Sequence, residues 1–346
     1  MTAAIALGRG KRRWLPWIGG LVGIVALALV LRRLDLDRFL TVLASADVWL
    51  LALVPLTVMA EQLVRGWKWR QLLYNSRPTG SLRLFGAIMA GYLLATIVPF
   101  GFGTVARSWL VARREDLTLA AVLATVALDR LTDAIVFACL VPVALMLVAF
   151  PDPGGSIRAG LTWGAVASFV ILAPLLVVLS RYGKQALSEG GWLTRLVARL
   201  PSRFEVPVRR LSTSFAEGGA WPRQIWRGIS VVLASVVIKL FAATHFLWAG
   251  LALGVVLRPG QYLFLIVFLG FLVILGHFAR VAGSFVIGAV FVLALFGVAE
   301  EEALAMVLVV EASNVLSVAG VGALSLWRQG VALSGLRTVG VDDATR

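Results

Sequence analysis

The chain has one cysteine and two histidines among its 346 residues, and each scarcity closes a class of function. A single thiol, Cys139, forms no intrachain disulfide and no thiolate metal cluster. His245 and His277 stand alone, outside any His-Glu-x-x-His pattern, so a zinc site is not expected. Charge is sparse as well: Asp, Glu, Lys and Arg make up 14% of the chain, against about 25% in a soluble domain. No Gly-x-x-x-x-Gly-Lys-Ser/Thr run is present, so a nucleotide-binding P-loop is excluded. No cofactor or metal is called for, and no complete catalytic motif points to an enzyme.

Apolar sequence fills the space that charge leaves. Hydrophobic residues make up 60% of the chain, and the mean hydropathy is +0.92. Runs of about twenty such residues are long enough to span a bilayer. The fold class is therefore an all-α polytopic membrane protein. The net charge of +14 does not imply a nucleic-acid partner. The Lys and Arg residues sit mainly in short loops beside apolar runs, which is the positive-inside pattern. That pattern predicts a multi-pass protein of the cell membrane with both termini in the cytoplasm.

The runs place about eight spanning or half-spanning helices within one integral domain. Residues 1–180 form a first half, 181–227 a basic cytoplasmic linker, 228–328 a second half and 329–346 a cytoplasmic tail. The basic start and apolar core at Trp14–Leu31 read as an uncleaved first span, because Arg32 and Arg33 follow instead of a small-residue cleavage site. Residues 33–47 space Leu34, Phe39, Leu40 and Leu43 as an amphipathic interfacial helix. Further spans are expected at about 48–66, 117–149, 157–180, 228–255 and 303–327. The linker, rich in Arg and amphipathic, suits contact with anionic lipid.

Two apolar stretches are interrupted. VPFGFG at 98–103 precedes Arg107, and ARVAGS at 279–284 contains Arg280. Hydrocarbon tolerates non-helical backbone only beside protein or a wet cavity. Corresponding breaks in two halves of a membrane protein point to a mid-bilayer binding site. The basic residues flanking the first break put both its ends on one side, so two re-entrant hairpins in an inverted-repeat arrangement are expected. Pro99, Gly101 and Gly103 would let backbone approach a ligand. Gly283 needs no role beyond close helix packing.

Other ionisable residues lie inside apolar runs, where they are costly and tend to face a pathway. Asp129, Arg130 and Asp133 share one helical face in ALDRLTDAI, with Asp133 placed to orient and neutralise Arg130. Glu61 and Arg65, four apart, suggest a local ion pair. Lys239 either snorkels or pairs with Glu311, and Arg113 and Arg114 read as interface anchors.

The stretch 65–133 resembles the lysylphosphatidylglycerol synthase transmembrane region, also called the flippase-like domain family. The resemblance rests on Arg65 and Trp69 in RGWKWRQLL, on Pro99, Gly103 and Arg107 in VPFGFGTVARSWLVARR, and on Arg130 and Asp133 in ATVALDRLTDAIV. Length and hydropathy extend it over nearly the whole chain. Gly101 stands where the family often has Arg, Thr104 where it has Glu, and Glu311 where many members are basic. The second hairpin keeps only a Gly-rich break. The resemblance implies a helical bundle and lipid translocation, without aminoacyl transfer, since members that make aminoacyl lipids carry an extra soluble domain.

The expected activity is movement of an anionic phospholipid or a polyprenyl-phosphate-linked sugar between leaflets. Arg107 and Arg130 would receive the phosphate, Arg280 would serve the opposite opening, and Asp129, Glu61, Arg65, Lys239 and Glu311 would support them. Two other readings stay open. One is a membrane-embedded glycosyl- or lipid-head-group transferase using Asp129 or Asp133 as general base, although the outer loops are short for holding an acceptor. The other is a non-catalytic partner of an envelope-synthesis enzyme, or a homodimer.

Overall fold

The computed structural model describes residues 35–74, 76–97, 102–178, 218–279 and 284–328. The expected first span, nearly all of the basic linker and the tail fall outside these residues, as do Pro99, Gly101, Arg280 and Gly283. Among the described residues there are ten helices and no strand. In chain order they are α1 (Leu36–Ala44), α2 (Val48–Leu73), α3 (Ser81–Ile97), α4 (Phe102–Glu115) and α5 (Leu119–Leu147). They continue with α6 (Ser156–Val177), α7 (Ile225–Ala252), α8 (Pro259–Ala279), α9 (Ser284–Leu295) and α10 (Glu300–Arg328).

Five of these, α2, α5, α6, α7 and α10, are long and apolar enough to cross a membrane. Their 22 to 29 residues exceed the roughly 20 that a hydrocarbon core requires. Most described helices follow the apolar runs to within a few residues, because in lipid a helix is the one way for an isolated segment to satisfy all its backbone groups. Helix α2 instead runs on past the expected end near 66 to Leu73. Pro55, Pro142 and Pro174 lie inside α2, α5 and α6 without ending them. Exposed Trp49, Trp163, Trp226 and Trp327 sit near helix ends, where an indole suits the headgroup level.

Local chemistry sets the helix limits. The Asp35 carboxylate accepts from the backbone N–H groups of Asp37 and Arg38 at 3.1 Å each, capping the amphipathic α1. Leu36, Leu40 and Leu43 form its exposed apolar ridge. Asp152 does the same for α6, accepting from Ile157 and Arg158 at 3.1 and 2.9 Å. The Asp152 turn depends on Gly154 and Gly155, both at positive φ. Asp116 ends α4 in the left-handed region at φ 55°, and Leu117 N–H returns to the Ala112 carbonyl at 2.9 Å.

The chain divides into two compact units. Unit 1 comprises 1–55, 140–164 and 242–312. It is built on aromatic packing: the Phe150 and Phe264 rings are 4.6 Å apart, and Phe264 meets Phe296 at 5.8 Å. Helices α8 and α9 lie side by side there. Unit 2 comprises 56–139, 165–241 and 313–346. Its core gathers Trp69, Leu72, Leu84, Ile88, Val111, Val126 and Leu128, with a smaller cluster around Leu94, Ala106, Leu110 and Leu326. Every residue of the site described next belongs to unit 2.

Candidate anion-binding site

Helix α2 presents Glu61, Arg65 and Lys68 at positions i, i+4 and i+7, which is one face of a helix. Helix α5 presents Thr125, Asp129 and Asp133 at i, i+4 and i+8. The two faces meet. Arg65 reaches Glu61 on its own helix at 2.7 Å and Asp133 on α5 at 3.2 Å. Lys68 lies between the carboxylates, 2.6 Å from Asp133 Oδ1 and 2.7 Å from Asp129 Oδ1, and also donates to the Asp129 carbonyl at 3.1 Å. Its side chain is fully buried, so all its charge is met by protein. Three carboxylates thereby share two cations from α2, one negative charge in excess.

Arg107 supplies a third cation from α4. A crossing of glycines sets its position. A Cβ on Gly91 of α3 would lie 2.7 Å from the Gly103 carbonyl and 2.8 Å from Arg107 Cβ. A Cβ on Gly103 would collide with the Gly91 carbonyl and sit 2.6 Å from Ala95 Cβ. Only hydrogen at both positions lets α3 and α4 come this close, and Arg107 is one turn along from that contact. The side chain is 2% exposed. Its guanidinium carbon stands 5.1 Å from the centre of the Trp69 ring.

No carboxylate is joined to Arg107 among the described residues. Its Nε and Nη2 are buried and donate to no partner among the described residues. These two nitrogens form the side-on edge of the guanidinium, the pair that clamps two oxygens of a carboxylate or phosphate. Tyr92, Arg130, Asp129 and Arg65 lie in electrostatic range of it. Arg130 is exposed and makes no ion pair among the described residues. A buried cation with an unused bidentate edge, beside a second exposed cation, has the donors and the charge that a two-oxygen anion requires.

The expected residues separate on this geometry. Arg107 and Arg130 are electrostatic neighbours, and Asp129 lies close to both. Asp133 does not hold Arg130; it bonds Arg65 and Lys68, because at its place on α5 it faces α2. Glu61 and Arg65 do pair, as links in a chain that continues to Asp129. Lys239 on α7 places its ammonium 5.5 Å over the Phe137 ring, within electrostatic range of Asp133. Glu311 belongs to unit 1 and has no ion pair among the described residues. Lys68 and Trp69 carry more of the site than their setting in RGWKWR suggested. The signal for Lys68 was its spacing of seven from Glu61 and three from Arg65.

Comparison with curated proteins and with solved structures returns no match. A family model does match: the lysylphosphatidylglycerol synthase TM region, over residues 17–322. That range takes in all ten helices but for the last turns of α10. It includes every residue of the anion-receptive cluster. The chain is a multi-pass membrane protein and belongs to the lysylphosphatidylglycerol synthase TM region family.

Proposed function

We propose that the protein moves an anionic lipid, a phospholipid or a polyprenyl-phosphate-linked sugar, between the leaflets of the cell membrane. The observation that carries this reading is the vacant side-on edge of buried Arg107. Buried N–H donors left without acceptors cost about 1–3 kcal/mol, so a site that keeps them is built for a ligand that completes them. Phosphate oxygens supply the two acceptors. Arg130, exposed beside it, meets the charge first, and Gly91 and Gly103 hold α3 against α4 so that Arg107 stays in place. In this reading the α3–α4 pair is a re-entrant hairpin, α8–α9 is its counterpart, and the whole makes about eight full or partial crossings.

Charge distribution supports a loading side. Among the described residues unit 2 has thirteen Lys and Arg against five Asp and Glu, whereas unit 1 has three against eight. Basic helix ends face the cytoplasm. The site is in the basic unit, so it loads from the cytoplasmic leaflet. Movement is passive or coupled to an ion, and requires no bond-breaking step.

A leaflet-exposure assay tests the reading. Purified protein is placed in vesicles containing fluorescent phosphatidylglycerol, and the fraction quenched by an impermeant reductant is followed over time. Arg107→Ala and Arg107→Lys are both expected to lose transport, since lysine keeps the charge but not the edge. Arg130→Lys is expected to keep most of it. Wild-type rates in Arg107→Ala would remove the proposal.

A further inference from the structure

A guanidinium held inside a protein is ordinarily matched by a carboxylate, and that pairing uses up its N–H donors. Around Arg107 the carboxylates are engaged elsewhere: Asp133 by Arg65 and Lys68, and Asp129 by Lys68. What faces the Arg107 cation instead is the indole of Trp69, at 5.1 Å. An aromatic face attracts a cation through its quadrupole and takes none of the conventional hydrogen bonds the cation can give. The cation is stabilised while the donors stay available.

The indole is itself fixed. Trp69 is 2% exposed, and its Nε1–H donates to Thr125 Oγ1 at 2.9 Å. The Thr125 hydroxyl donates its own proton to the Val122 carbonyl one turn back, at 2.7 Å. That leaves an oxygen lone pair turned to the indole, so the direction of both bonds is settled. Thr125 is buried as well, and these two bonds are the ones its hydroxyl makes among the described residues. At the other end of the arginine, Gly91 admits the Arg107 Cβ against α3. Base and tip of the side chain are held by different elements.

We infer that Trp69 is the positioning residue of Arg107, and that its indole, locked by Thr125, keeps the side-on edge of the guanidinium free and aimed for a two-oxygen anion. The inference rests on the translocase reading of the same site. It assigns to an indole and a hydroxyl the task that a carboxylate would perform at the cost of the ligand's place.

The experiment uses the full chain in the same vesicles, with inorganic phosphate as a soluble competitor. Trp69→Leu is expected to slow exposure of the fluorescent lipid by on the order of tenfold or more, from loss of a desolvated cation–π contact. It should also raise the phosphate concentration needed for half-inhibition. Trp69→Phe, which keeps a ring and loses the N–H, should fall between Trp69→Leu and wild type. Thr125→Val should slow transport and weaken phosphate competition, and Thr125→Ser should restore both to within about twofold, since only the hydroxyl is needed. Should Trp69→Leu fail to fold, the Thr125→Val and Thr125→Ser pair decides the matter.

Wild-type rate and wild-type phosphate inhibition in Thr125→Val and Trp69→Leu, with Arg107→Ala inactive, would overturn this inference and leave the translocase reading standing. A fall in rate with unchanged phosphate inhibition would mark a structural role for the indole, and also overturns it. Transport unaffected in Arg107→Ala would remove both.

Discussion

Lys68 offers the sharpest test of the energetics of the site. Its ammonium lies 2.6 and 2.7 Å from two carboxylates and is shut off from solvent. At an effective dielectric of about 20, each attraction amounts to about 6 kcal/mol before desolvation is counted. Taking the ions out of water costs several kcal/mol apiece and cancels most of that. The net loss on deleting one member is set by what remains. In Lys68→Met, Asp133 keeps Arg65, whereas Asp129 keeps no ion pair among the described residues. A buried carboxylate left in that state costs about 3–5 kcal/mol. That is a large share of the roughly 5–15 kcal/mol that holds a protein folded.

The assay is denaturant unfolding of the purified protein in micelles, followed by tryptophan fluorescence and compared at equal slope. A loss below about 1 kcal/mol in Lys68→Met would refute the account. The sign of a second substitution tests it further. Asp129→Asn alone is expected to cost about 1 kcal/mol, because Lys68 retains Asp133. In the Lys68→Met background the same change should instead recover stability, since it removes the orphaned charge. Additive losses in the double variant would show that the two groups do not share a network.

Two further outcomes follow from glycine packing. Gly91→Ala brings a methyl within 2.7 Å of the Gly103 carbonyl and 2.8 Å of Arg107 Cβ, both on a facing helix that must shift. A loss of about 1–3 kcal/mol is expected, with weakened lipid exposure in the vesicle assay. Gly160→Ala in α6 and Gly320→Ala in α10 are the opposite case, since nothing lies within 4 Å of the added carbon. Each should leave the unfolding midpoint unchanged or raise stability by up to about 1 kcal/mol, as usual for glycine inside a helix.

The helices were legible because the solvent leaves little choice. A run such as 225–252 has to be helical in hydrocarbon, and its ends are marked by Arg223 and Arg227 on one side and Gly254 on the other. The break expected before Arg107 falls mostly at 98–101, outside the described residues, and the helix that follows already takes in Phe102 and Gly103. Pairings were harder to read. Arg130 and Asp133 are three apart on α5, so the sequence offers them to each other. The partners that win Asp133 are on α2, 65 and 68 residues away in the chain. Same-helix spacing is visible in a string of letters, and the rotation of one helix against another is not. Lys68 was hidden for a related reason: Trp and Arg/Lys clusters at the end of a span ordinarily anchor it at the interface, and RGWKWR has that composition. Lys68 and Trp69 turn inward, whereas Trp67 is exposed.

What distinguishes the site is an uneven match between cations and carboxylates. Arg65 and Lys68 from α2 hold Glu61, Asp129 and Asp133 by direct ion pairs, and among the described residues no carboxylate is bonded to the cation on α4. The departures from the family pattern bear on this. A glutamate at position 104 would stand one turn before Arg107 on the same helix, within reach of an i, i+3 pairing. Thr104 offers no charge there, and its carbonyl is occupied by the Ser108 hydroxyl at 2.8 Å. Losing that acid would ordinarily make a buried arginine harder to keep. Here the Trp69 ring faces it, and the donors of Arg107 are left for something that enters from outside the chain. An arginine retained merely to hold helices together would have its N–H groups spent on a neighbour. This one has its backbone fixed by two glycines and its tip by an indole, with the bidentate edge unspent, and that combination is the physical case for a ligand with two oxygens to give.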